Sequence, residues 1–255
     1  MKPLLRIAYL GTAYHGYQVQ PNGVTVQQKL NEAAADLFGF DCDVTGCSRT
    51  DSGVHARDFA VTVAEKGKSG LETAISADRL PQAFNARLPE DIAVLSAAFV
   101  PDTFHARYDV KSKRYEYLIL NSRERDPFLL DRAWHLPAPF DDAAVGEMRR
   151  AAASFVGRHD FSAMRDGGAD IDEQDAVREV FEVSLEKTGD LISFRVRADG
   201  FLYHMVRIMT GTLVDVGRGR LLADDIPRLL ASGDRCRMGA TAPAAGLYLD
   251  KVFYD

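Results

Sequence analysis

Gly46-Cys47-Ser48-Arg49-Thr50-Asp51-Ser52-Gly53-Val54-His55-Ala56 lies between two apolar runs, Cys42 to Cys47 and Phe59-Ala60-Val61-Thr62-Val63-Ala64. Runs that short, bounded by turn residues, read as mostly buried strands, so the stretch between them is a polar loop at the edge of a sheet. Arg49 stands two residues before Asp51, and Gly53 can close the loop with a positive φ, which presents a carboxylate beside a guanidinium. On the residues alone two readings stay open. Asp51 either bonds its own backbone in an Asx turn, or it is a reactive group carried on a loop by a rigid sheet.

Upstream of this loop, Leu5 to Leu10 predicts an opening strand, followed by a polar loop from Gly11 to Gly23. Thr25 with Gln28 three residues later forms a capping box, and Val26, Leu30, Ala33, Leu37 and Phe38 recur at helical spacing until Gly39 ends them. Downstream, Lys66-Gly67-Lys68-Ser69-Gly70 predicts a surface turn or a gate over the site, then a helix from about Asp78 to Ala86 and a strand from Ile92 to Val100. Pro101-Asp102 is a break. The expected division is therefore an N-terminal half, 1–102, carrying the Asp51 loop, and a C-terminal half, 103–255.

In the second half Ser112 to Leu120 alternates, with Tyr115, Tyr117 and Ile119 on one face and Arg114, Glu116 and Leu118 on the other, as in a half-buried strand. Asp141 caps a helix carrying Val145, Met148, Ala152 and Phe155, ended by Gly157. Asp166 to Gln174 is rich in Gly and Asp and is expected to be mobile. Val177 to Glu186 and Leu191 to Ala198 flank the turn Thr188-Gly189-Asp190 as a hairpin, its Ile192, Phe194, Val196 and Ala198 facing in and its Arg195 and Arg197 facing out. A helix from about Phe201 to Val216, a short one near Asp225 to Ala231 and a strand from Leu247 to Tyr254 complete the chain. Strands and helices mixed without a strict βαβ period indicate an α+β fold on an antiparallel or mixed sheet.

With 255 residues, 46% of them hydrophobic, the chain can bury a sizeable core. No run of about 18 apolar residues exists, and Met1-Lys2-Pro3-Leu4-Leu5-Arg6 carries charge inside any would-be apolar leader, so the expectation is a cytoplasmic protein without a membrane span or signal peptide. Cys42, Cys47 and Cys236 have neither disulfide nor zinc spacing and are expected as buried thiols, and the six scattered histidines predict no metal. The net charge of −6 argues against a generally cationic nucleic-acid binder. Locally, however, Arg195, Arg197, Arg207, Arg218 and Arg220 outnumber Asp199 and Asp215, which permits RNA.

Arg207 sits among Val206, Ile208 and Met209 in an apolar helix. It either snorkels to solvent past Tyr203 or meets a carboxylate reaching it from elsewhere, and Asp51 is the candidate.

Arg49-Thr50-Asp51-Ser52-Gly53-Val54-His55-Ala56 resembles the catalytic loop of the tRNA pseudouridine synthase A family, R-T-D-A-G-V-H-A. Tyr14-His15-Gly16-Tyr17-Gln18, Lys113-Arg114-Tyr115-Glu116-Tyr117, Gly200-Phe201-Leu202-Tyr203-His204-Met205-Val206-Arg207 and Ala242-Pro243-Ala244-Ala245-Gly246-Leu247-Tyr248-Leu249 resemble that family's other motifs, in the right order from Tyr9 to Tyr254. The departures are Ser48 and Ser52 where Gly and Ala are common, Leu10 in place of an Asp, and Tyr17 in place of Trp.

The resemblance implies two related α+β halves joined in one sheet with a cleft between them, and conversion of uridine to pseudouridine in the tRNA anticodon stem-loop without cofactor or metal. It implies Asp51 as nucleophile, Tyr115 as the active-site aromatic and Arg207 as the carboxylate's partner. Arg49, His55 and His204 are the further residues expected to touch RNA or orient the loop, and a homodimer is expected to bind one tRNA across both subunits. A non-catalytic RNA-binding protein on the same fold is the alternative. A carboxylate-dependent hydrolase would need a second acid near Asp51, such as Asp58 or Asp109.

Overall fold

The computed structural model describes residues 1–167 and 176–255. In chain order the elements are β1 (Lys2–Tyr9), α1 (Val26–Phe38), β2 (Cys42–Gly46), β3 (His55–Glu65), α2 (Leu80–Asn85), β4 (Ile92–Val100), β5 (Ser112–Leu120), β6 (Trp134–His135), α3 (Asp142–Ala153), β7 (Gly157–Asp160), β8 (Val177–Thr188), β9 (Leu191–Ala198), α4 (Met205–Gly217), α5 (Ile226–Ala231) and β10 (Leu247–Phe253). They form two compact units, Met1–Lys111 with Tyr248–Asp255, and Ser112–Leu247. The α+β class holds in each.

In the first unit β1 lies between β3 and β4, antiparallel to both, while β2 runs antiparallel and β10 parallel to β3. The first unit runs on to Lys111, and Asp102 within it is tied back to the first strand. Its carboxylate meets the Met1 amine at 2.9 Å and its carbonyl accepts from Lys2 Nζ at 2.8 Å. The returning β10 is held in the same unit by its register with His55 and Ala56, and Lys111 donates its N–H to the Phe253 carbonyl.

Thr25 caps α1, its hydroxyl accepting the Gln28 N–H at 3.3 Å, and Gly39 ends it in the left-handed conformation. The capping box is half closed, because the Gln28 side chain turns to Glu32 instead of the Thr25 backbone. On the edge strand β4, the Asn85 side chain both donates to and accepts from the Val94 backbone, occupying ladder groups that would otherwise be open. Lys66 to Gly70 is a tight surface turn, with Glu65 N–H bonded to the Gly70 carbonyl.

In the second unit β9 lies between β5 and β8, β7 extends the antiparallel sheet beyond β8, and β6 runs parallel to β5. α3 packs on β8 and against α4, and α4 also touches β5.

β5 is buried on both faces from Tyr115 to Leu120, not half-buried as its alternation predicts. Glu116, 2% exposed, is covered by β9. Its Oε1 accepts from Ser193 Oγ at 2.6 Å and from Arg195 Nε and Nη2 at 2.9 and 2.8 Å, which satisfies the charge that burial would otherwise penalise.

Three further expectations need correction. α3 ends at Ala153 with Ser154 as its cap, and Gly157, with φ +111°, instead opens β7. α4 begins at Met205 rather than Phe201, because His204 adopts φ +61° and interrupts the helical path. Cys42 and Cys47 are buried thiols, but Cys236 is exposed. Residues 168–174 of the stretch expected to be mobile lie outside the described residues.

Candidate active site

The stretch between β2 and β3 is the loop that the flanking apolar runs predict, and it is fixed on both sides of Asp51. Pairing continues one residue past β2, through Cys47 N–H to the Ala60 carbonyl. The Thr50 hydroxyl lies 2.8 Å from that of Tyr9, and the Thr50 carbonyl accepts the Tyr17 N–H. Val54 N–H then bonds to the Asp51 carbonyl at 3.2 Å, a turn for which Gly53 supplies φ +79°. Ser52 Oγ donates to the Tyr14 carbonyl at 3.2 Å. Asp51 itself is half-buried and Arg49 is exposed.

The segment from Tyr9 to Tyr17, which carries the first motif, is the wall behind this loop. Gly11 approaches so closely that a Cβ there would stand 2.0 Å from the Val54 carbonyl oxygen. Its N–H donates to His55 Nδ1 at 2.9 Å. His55 is fully buried, and because Nδ1 accepts, its ring proton resides on Nε2. The imidazole lies 4.8 Å from the Tyr248 ring. Tyr14, buried, donates its hydroxyl to Asp91 at 2.5 Å, and burial together with the Asp91 carboxylate pushes its pKa above the usual tyrosine range. Tyr17 stacks on Phe59 at 4.4 Å. The wall behind the loop is thus aromatic and tied to it by hydrogen bonds.

In the second unit Tyr115 is almost completely buried on β5 and meets Phe201 edge-on, with ring centroids 4.9 Å apart at 82°. Tyr117 is a core residue. Its hydroxyl donates to the Pro243 carbonyl at 2.6 Å, and burial raises its pKa well above the ordinary value despite the opposing charge of Arg207.

Arg207, three residues into α4, is half-buried rather than engulfed. Its Nε donates to the Ala242 carbonyl at 2.7 Å, and Ala242 N–H returns a bond to the Arg207 carbonyl. The segment before Leu247 therefore forms a strap across α4. Gly211 and Gly239 permit it: a Cβ on Gly211 would stand 1.7 Å from the Ala240 carbonyl oxygen. The Thr212 hydroxyl accepts the Gly239 N–H at 3.0 Å.

Sequence reading missed the centre of this unit's polar chemistry. The Asp166 carboxylate bonds His204 Nδ1, Thr241 Oγ1 and Arg235 Nε, each at 2.7 Å. Arg235 continues to the Gly239 carbonyl and to Thr241 Oγ1. Burial acts to raise the Asp166 pKa, but these donors outweigh it and hold the carboxyl at about 2. The pairing of His204 with Asp166 spans 38 residues and leaves no periodic signal in the chain.

Of the acids a hydrolase would need, Asp58 is engaged by Arg6 Nη1 at 3.3 Å, and Asp109 accepts the His105 N–H at 2.8 Å. Among the described residues no group of three or more His, Cys, Asp or Glu could hold a metal ion, and no helix is long and apolar enough to cross a membrane.

Residues 6–109 and 151–255 match the family model described as tRNA pseudouridine synthase. Proteins named tRNA pseudouridine synthase A are similar along nearly their whole length. The one from Moorella thermoacetica is 44% identical over 99% of this chain and 100% of its own. That from Acetivibrio thermocellus is 43% identical over 98% of both chains, and that from a Thermoanaerobacter species 41% identical over 98% of both. With a fixed carboxylate loop of the family's pattern in one unit, a buried tyrosine and a strapped arginine in the other, and similarity running through both, the chain belongs to the tRNA pseudouridine synthase family.

Proposed function

We infer that the protein isomerises uridine to pseudouridine in the anticodon stem-loop of tRNA, at positions 38 to 40, with Asp51 as nucleophile. The observation that carries this reading is the Asp51 loop. Backbone bonds at Thr50, Asp51 and Val54 fix the main chain that carries this half-buried carboxylate, as attack on a nucleoside requires.

In the reaction Asp51 adds to the nucleoside, and the bond between N1 and C1′ breaks with its electron pair left on the uracil. The uracil turns and C5 bonds to C1′, the bond to Asp51 breaks with its electron pair returning to the carboxylate, C5 gives up its hydrogen as a proton and N1 acquires one. Atoms and electrons balance within the substrate, and neither metal nor cofactor enters the scheme.

Arg207 pairs with Asp51 in this reading and fixes its orientation, its guanidinium already oriented by the Ala242 carbonyl. Tyr115 offers a ring, braced by Phe201, on which the freed uracil rests while it turns. A uridine stacked in a stem must first be extruded, and exposed Arg49 fills the space it leaves. His55, buried behind the loop, orients it, while His204 orients the start of α4 beside the RNA path.

The catalytic Asp thus belongs to the N-terminal half and the Tyr and Arg to the C-terminal half, 1–102 and 103–255 by sequence. The family resemblance supports a cytoplasmic homodimer and one tRNA contacting both subunits.

Tritium release from tRNA transcripts labelled at uridine C5 tests the reading. Wild type releases tritium, Asp51→Ala does not, and the modified positions map to the anticodon arm. Tight tRNA binding by wild type without any release would replace the enzyme with an RNA-binding protein.

A further inference from the structure

We propose that Asp166 is a positioning residue that sets the orientation of Arg207, although the two side chains are not themselves bonded. Two routes, each a hydrogen bond followed by a short stretch of backbone, lead from its carboxylate to Arg207. Through Thr241 it fixes the residue next to Ala242, whose carbonyl holds Arg207 Nε and whose N–H is bonded to the Arg207 carbonyl. Through His204 it fixes the residue that caps the start of α4, three positions before Arg207, in a left-handed conformation uncommon for a residue other than glycine.

Arg235 closes the figure. Its three bonds reach Asp166, the Gly239 carbonyl and Thr241, so the strap is gripped at both ends of the stretch from Gly239 to Thr241. Helix start and strap are thereby referenced to one carboxylate. Arg207 is the side chain common to both, because it grows from the helix and bonds to the strap. A guanidinium that must meet a carboxylate in a fixed geometry needs such a frame, since its own side chain has many rotamers.

This inference rests on the reading of Arg207 as the partner of Asp51, and its test has one arm that does not depend on activity. The Arg207 Nε–H resonance, assigned by its disappearance in Arg207→Lys, is followed by nitrogen-edited NMR. Wild type is expected to show a shifted, slowly exchanging Arg207 Nε–H, and Asp166→Ala to show that signal moved to the free-arginine position and exchanging fast. An unchanged signal in Asp166→Ala overturns the proposal whatever the enzyme does.

The second arm is a single-turnover double-mutant cycle with Arg207→Ala at saturating protein. Asp166→Ala alone is expected to slow conversion about 100-fold. In the Arg207→Ala background it should slow it by no more than about twofold. A merely structural role would lower the rate in both backgrounds alike, and equal losses would overturn the proposal. Should Asp166→Ala fail to fold, Thr241→Val severs one route with little change of volume and is read in the same two ways.

Discussion

Gly11 donates its backbone N–H to the Nδ1 of His55, 2.9 Å away and wholly out of solvent. This bond joins the segment carrying the first motif to the root of the Asp51 loop, and it fixes which imidazole nitrogen is protonated. Replacing His55 by Leu keeps most of the volume but leaves the Gly11 N–H buried without its acceptor. Such a loss costs about 1–3 kcal/mol. Urea unfolding of His55→Leu should show that loss, together with slowed conversion of tRNA. A cost under about 0.5 kcal/mol would mean that the Gly11 N–H finds another acceptor and that the bond does not brace the loop.

The same segment predicts a contrast between two glycines. Gly11→Ala would put a Cβ 2.0 Å from a backbone oxygen of Val54, so the wall or the loop must move. Overpacking of this kind costs about 1–3 kcal/mol, and here the displaced atom belongs to the loop that carries Asp51. Gly39→Ala meets nothing within 4 Å, and its penalty is the φ of +79° alone, about 1 kcal/mol. Both variants should lose stability in urea titrations, but only Gly11→Ala should lose activity beyond its stability deficit. Equal activity in the two would detach the wall from the site.

How much of this was legible in the chain follows from the range of the interactions involved. β4 and β5 have the bounds read from their periodicity, and Thr25, Asp141 and Gly39 act at helix ends as their types suggest, because strand alternation and capping are set within a few residues. The Asp51 loop was legible because apolar runs frame it. Failures occur where a distant partner overrides local preference. His204 leaves the helix in which its apolar neighbours would place it, in a conformation accompanied by a bond to Asp166. Glu116 can be buried because Arg195 and Ser193 arrive on another strand. Asp166 itself read as part of a polar loop, and no spacing ties it to Arg235 and Thr241.

The depressed acidity of Asp166 makes a prediction about pH. Its carboxyl titrates at about 2 in the folded chain, against 3.8 for an ordinary aspartate, so the folded state binds its proton less readily than the unfolded state does. The stabilisation is therefore complete above about pH 4 and is lost as pH falls through the window from 3.8 toward 2. Allowing for a site that is 29% exposed, it amounts to about 1–2 kcal/mol. Asp166→Asn removes that titration. Plotted from pH 5 to 2, the stability difference between wild type and variant should shrink in acid, as measured by chemical denaturation at each pH. A difference that stayed constant across this window would show that Asp166 titrates normally.

Arg207→Lys separates charge from geometry. Lysine retains the positive charge that the proposed pairing with Asp51 requires, but it has no counterpart to Nε and cannot hold the Ala242 carbonyl while its terminus faces elsewhere. A hydrogen bond from a charged donor is worth about 1.5–3 kcal/mol, so a rate loss of about 10- to 100-fold is expected if the bond's function is to aim the guanidinium. Affinity for tRNA should change little, because Arg207 is half-buried and lysine keeps the positive charge on which attraction to phosphate depends. Single-turnover rates and filter-binding affinities measured side by side give the answer. A lysine variant with an undiminished rate would mean that charge alone suffices and that the strap serves only the stability of α4. A variant that lost affinity and rate in equal measure would place Arg207 on the RNA instead of on Asp51.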